Sequence, residues 1–79
     1  MNIKETVKNL PNNPGVYFFK DKKEKILYIG KAKNLKKRVF NYTKYNGHPL
    51  RIQQMIFATS SMLFLTTKNE TEALLLEQN

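Results

Sequence analysis

The sequence predicts a small α+β domain, a mostly antiparallel three-stranded sheet flanked by helices. Three observations carry this. Residues 15–20 (GVYFFK) and 26–31 (ILYIGK) are rich in β-branched and aromatic side chains and are separated by a short charged stretch, the pattern of a β-hairpin. A third run, 62–66 (MLFLT), has strand composition but lies well downstream. The intervening segments carry apolar residues at helical spacing. At 79 residues there is room for one domain, 1–79. Neither GxxxxGK[ST] nor GxGxxG occurs, so nothing suggests a P-loop or Rossmann arrangement.

Residues 2–10 place Ile3, Val7 and Leu10 on one face of a short helix. Pro11 and the Asn12-Asn13-Pro14-Gly15 cluster end it and lead into the first strand. Asp21 to Lys25 is the hairpin turn. Asn34 is a suitable N-cap, because its side chain can accept from a free helix amide. Leu35, Val39 and Tyr42 then share a face, giving a helix over about 34–43. Asn46-Gly47-His48-Pro49 is a loop, followed by a short helix through Leu50, Ile52, Met55 and Ile56. Past the third strand, Asn69 and Glu72 resemble a capping box with Asn in place of Ser or Thr. They open a helix through Ala73, Leu74, Leu75 and Leu76. Glu77-Gln78-Asn79 falls inside that helix, so the chain reads as a fragment of a longer one.

Fourteen lysines and arginines oppose six acidic residues, a net charge of +8. This excess on a small domain suits a polyanionic partner, most often nucleic acid. Only Arg38 and Arg51 are arginines. Lysine tracks phosphates without reading bases, and a solubilising lysine coat accounts for the charge equally well. With no cysteine, disulfides and thiolate metal sites are excluded. A metal would need oxygen ligands or His48, the single histidine, which points to Mg²⁺ or Mn²⁺ rather than structural zinc. No stretch approaches the ~20 apolar residues of a membrane span, and residues 1–10 lack the apolar core of a signal peptide. The expected location is the cytoplasm, and the isolated domain is expected to be a monomer.

The hairpin carries the residues of chemical interest. Tyr17 and Tyr28 fall on adjacent strands, where they can share a face as near neighbours. Either alone is ordinary strand packing. Gly15 and Gly30 beside them change the weight, because glycine inside a strand costs packing and often marks a close backbone approach. Lys31 and Lys33 follow directly. Two phenols, a bare backbone and a lysine make a surface suited to a phosphodiester. Asn34, Arg38 and Tyr42 then form roughly one stripe at i, i+4 and i+8, and the guanidinium fork of Arg38 can bind phosphate oxygens in pairs. Tyr42 also continues the Leu35–Val39 core face, so packing and site roles both stay open for it. His48, alone in a Gly-Pro loop, reads as polar surface.

Gly15-Val16-Tyr17 and Tyr28-Ile29-Gly30 resemble the two halves of the signature of GIY-YIG nucleases, with Val in place of the central Ile. The lead-in 10–14 (LPNNP), the run 31–39 (KAKNLKKRV) and the block 72–77 (EALLLE) are similar to UvrC-type GIY-YIG domains in particular. Together these blocks span residues 10–79.

The resemblance implies a GIY-YIG fold and a DNA endonuclease that uses a single divalent ion, Mg²⁺ or Mn²⁺. It implies Arg38 at the phosphate or transition state, Tyr42 in the active site, and Glu77 as the only protein ligand of the metal. Read from the residues alone, Glu77 is a frayed terminal carboxylate. The expected catalytic group is Tyr17, Tyr28, Lys31, Arg38 and Tyr42. The expected DNA contacts are Gly30, Lys31, Lys33, Asn34, Lys37 and Arg38. A tyrosinate, Tyr17 or Tyr28, is the expected base, with Tyr28 slightly preferred; a neighbouring cation must favour its ionised form. The implied partners are double-stranded DNA with a lesion and UvrB, delivered by the UvrA–UvrB machinery. The implied reaction is the 3′-side incision of nucleotide excision repair. The alternatives are another GIY-YIG endonuclease or a nucleic-acid-binding module without chemistry.

Overall fold

The computed structural model describes residues 2–68. Helix α1 spans Ile3–Lys8, strand β1 Gly15–Lys20, strand β2 Ile26–Ala32 and helix α2 Leu35–Phe40. Two single 3₁₀ turns, Asn41–Thr43 and Tyr45–Gly47, lead to helix α3, Leu50–Ala58, and strand β3, Ser61–Thr66. The helix expected from Asn69 onward lies outside the described residues.

The sheet has the order β2-β1-β3, antiparallel throughout. Strand β1 is therefore central, which accounts for its nearly continuous apolar sequence. Val16 is fully buried on one face, and Tyr17 and Phe19 on the other. The β1–β2 register pairs Tyr17 with Gly30 and Phe19 with Tyr28. Paired residues share a face of the pleat, so Tyr17 and Tyr28 lie diagonally on the same face, as the sequence predicts. A bulge between Phe19 and Lys20 closes the hairpin. Asp21 holds the turn by accepting from the Lys23 and Lys25 amides at 2.8 and 2.9 Å.

The core lies on the tyrosine face. Ile3, Val7 and Leu10 from the α1 region meet Leu35 and Val39 of α2 over Tyr17, Phe19 and Ala32. Leu35 and Val39 are spaced i, i+4, so both point off one side of α2 into this layer; burying each fully contributes roughly 1.5–3 kcal/mol. Asn2 caps α1 by accepting from the Glu5 amide. Asn34 caps α2 by accepting from the Lys37 amide at 3.0 Å.

One expectation needs correction. The helix expected over 34–43 stops at Phe40, and Tyr42 sits in the 3₁₀ turn that follows. The tightened backbone turns the Tyr42 ring toward the sheet, where Phe19 and Tyr17 receive it. Helix α3 runs two residues past Ile56 but buries no residue fully. Ile52, Met55 and Ile56 rest against the core while Leu50 and Phe57 face outward.

Candidate active site

Tyr17 is 0% exposed, and its ring lies across the paired strand directly over Gly30. A Cβ at position 30 would overlap the Tyr17 ring and hydroxyl, so only glycine leaves the phenol room. The Tyr17 hydroxyl shares a buried 2.8 Å hydrogen bond with that of Tyr42. Tyr28 completes a cluster, its ring centroid 6.2 Å from Tyr17 and 6.5 Å from Tyr42, with Phe19 packed among them.

Arg38 projects from α2 toward this cluster, and its guanidinium lies close enough to the Tyr17 hydroxyl for each to influence the other's charge. Burial pushes the Tyr17 phenol above its ordinary value, against the pull of the Tyr42 hydroxyl and of Arg38. Burial also holds Tyr42 well above the phenol range, reinforced by the Tyr17 hydroxyl beside it. Contact with Tyr17 keeps Arg38 more firmly protonated than a free arginine. Both buried phenols are thus neutral donor–acceptor groups, and the guanidinium is a fixed cation at their edge.

Arg38 is also exposed, and it borders two depressions in the surface. The larger, about 390 Å³, gathers Lys31, Lys33, Asn34, Lys37, Arg38 and Asn41. The smaller, about 210 Å³, is formed by Arg38, Asn41, Tyr42, His48 and Ile52. The two share Arg38 and Asn41, so a basic cleft runs from the start of α2 to the edge of the phenol cluster. Its chemistry suits an anionic, extended ligand: ammonium groups along the path and one planar guanidinium at its inner end.

The UvrC-like GIY-YIG domain pattern matches residues 13–79. The chain belongs to that family. It is 60% identical to UvrABC system protein C of Bartonella henselae over 77 residues, 98% of this chain. It is 54% identical to the Cereibacter sphaeroides protein of the same name over the same length. The chain spans 12% of each of these relatives. Among solved structures, it matches the GIY-YIG N-terminal endonuclease domain of UvrC from Thermotoga maritima, bound to its catalytic divalent cation, magnesium. That match has a TM-score of 0.86 and 34% identity, and covers 98% of this chain and 83% of that one.

In this GIY-YIG domain the signature residues divide by face. Gly15, Tyr17, Tyr28 and Gly30 lie on the core face, while Val16 points the other way and is fully buried opposite Leu65. Val16, like the Ile of the signature, is β-branched and apolar, which suits a buried strand position. Of the residues expected in the site, Tyr17, Tyr28, Arg38 and Tyr42 come together. Lys31, Lys33, Asn34 and Lys37 line the cleft beside them, and Gly30 lies beneath Tyr17. The Asn34 side-chain oxygen is occupied by its cap. Glu77 lies outside the described residues, as do Glu70 and Glu72. Among the described residues no group of three or more His, Asp or Glu side chains is placed to hold a metal.

Sequence reasoning missed two wall residues. His48 is not idle surface: its ring stacks on Tyr42 at 5.3 Å and 15°. Its Nε2–H donates to the Asn41 carbonyl at 2.8 Å, which fixes that nitrogen as the protonated one in the neutral ring. Asn41 borders both depressions. Neither carries a local pattern that would have singled it out.

Proposed function

We propose that this domain hydrolyses a phosphodiester in one strand of double-stranded DNA beside a lesion. It would make the 3′-side incision of nucleotide excision repair in the cytoplasm, as part of a longer protein delivered to the site by UvrB. The observation that carries this is the position of Arg38, which joins the buried phenol cluster to the lysine-lined cleft.

Lys31, Lys33 and Lys37 hold the strand by its phosphates, without base preference. Arg38 takes two oxygens of the scissile phosphate and offsets the charge that grows there. Tyr17 and Tyr42 are poor bases, since burial holds both phenols neutral. Their mutual hydrogen bond fixes the geometry around Arg38. Tyr28 is the partly exposed phenol of the three; as a tyrosinate it takes the proton from the attacking water and becomes the neutral phenol. A single divalent ion on Glu77 supplies Lewis-acid polarisation of the phosphate when bound. One carboxylate with several waters is the coordination Mg²⁺ favours.

The test is incision of a lesion-bearing duplex by the full-length protein with its UvrABC partners. Mg²⁺-dependent 3′ incision that disappears in Glu77→Ala and Arg38→Ala, with folding retained, is the expected result. Undiminished 3′ incision in both variants would overturn the assignment.

A further inference from the structure

A further concavity, about 740 Å³, lies between α1 and α2. Its floor is apolar, formed by Val7 and the ring of Phe40, which is 49% exposed. Lys4 and Lys8 stand on one rim and Lys36 and Lys37 on the other. Among the described residues, those that line it include no carboxylate. Lys4 and Lys8 are spaced i, i+4 and so project from the same side of α1. The groove shares Lys37 and Asn41 with the basic cleft, so whatever fills it sits next to the bound strand.

We propose that this groove docks an acidic, amphipathic segment of a partner protein, which holds the domain against its substrate. The choice of protein over nucleic acid follows from the floor. A phosphate backbone satisfies four ammonium groups but offers little to the exposed phenyl ring of Phe40. A segment with an aromatic or aliphatic anchor and flanking carboxylates satisfies both. The anchor covers the Phe40 ring, and the carboxylates meet the two lysine rims. Lysines on the rim steer and orient such a partner, while the apolar centre holds it. The adjoining cleft differs: it carries the guanidinium, and its aromatic lining, Tyr42 and His48, is already stacked ring on ring. The proposal deepens the nuclease reading and rests on it, since the docked partner would present DNA to the neighbouring cleft.

The experiment replaces Phe40 with the photoreactive analogue p-benzoylphenylalanine in the full-length protein. The protein is irradiated during incision of a lesion-bearing duplex with the other UvrABC components. The expected product is a protein–protein adduct that maps to an acidic segment of one component. Lys4→Glu combined with Lys8→Glu should lower its yield about ten-fold by reversing the rim charge, while DNA affinity stays unchanged. Both lysines are exposed, and a melting curve confirms that the double variant folds. An adduct on a DNA strand, or no adduct while incision proceeds, would overturn the proposal. Incision by the unsubstituted protein in the same mixture decides the nuclease reading, so each idea fails on its own readout.

Discussion

The hydroxyls of Tyr17 and Tyr42 lie 2.8 Å apart in the buried centre of the domain, joining the central strand to the turn that follows α2. Both rings pack edge-on against Phe19. The bond ties a residue of the hairpin signature to one 25 positions away and leaves the phenols beside Arg38.

Cutting that bond from one side should cost more than removing it altogether. Tyr17→Phe or Tyr42→Phe leaves the other hydroxyl buried with its best partner gone, a loss of about 1–3 kcal/mol. The double variant should recover part of the loss, because neither orphaned hydroxyl remains. A double-mutant cycle by urea unfolding measures the coupling. Strict additivity would show that the contact is not made in solution.

Gly30→Ala should be poorly tolerated. The new methyl falls on the Tyr17 ring and hydroxyl, and the fully buried ring has nowhere to retreat. Overpacking of this kind costs about 1–3 kcal/mol. Displacement of the phenol from Arg38 should lower incision more than it lowers stability. The comparison is kcat for incision against the urea midpoint of the same variant.

Stability should fall on the alkaline side. Tyr17 and Tyr42 both have folded-state pKa values raised above the ordinary phenol value of 10.0. Below pH 10 both states keep these protons, and the contribution is fully present. Above it the unfolded chain releases protons that the folded chain retains, so unfolding gains as pH rises. Urea unfolding at successive pH values from 8 upward should show a decline beginning near pH 10. The decline should be shallower in the Tyr17→Phe, Tyr42→Phe double variant.

Arg38→Ala should reduce kcat about 100- to 1,000-fold, the usual effect of removing one preorganised charge partner from a transition state. Arg38→Lys should recover little, since an ammonium cannot make the paired contacts of the guanidinium fork. Because Arg38 is exposed, neither change should lower the melting temperature much. A large stability loss would instead make Arg38 a structural residue.

Much of the architecture was legible in the chain because it is local. The aromatic runs on either side of a charged turn made a hairpin, and Asn34 before an i, i+4 apolar pair marked the start of α2. The glycines flanking Tyr17 and Tyr28 announced close packing. The cleft lysines follow in the same segment, and the signature needed only its own spacing to be recognised. The end of α2 was misread because Tyr42 fits the helical stripe, whereas tertiary contacts with Phe19 and Tyr17 draw it into the 3₁₀ turn.

The sequence by itself determined which segments become strands and helices, the signature and its family, and the basic character of the surface, since each is written in neighbouring residues. Only the tertiary structure decided that β1 is the central strand, that Tyr42 closes onto Tyr17, that His48 stacks behind it, and that Phe40 stays exposed between two rows of lysines. These arrangements join residues far apart in the chain. They are fixed by how the helices share a limited apolar interior, which no local spacing encodes.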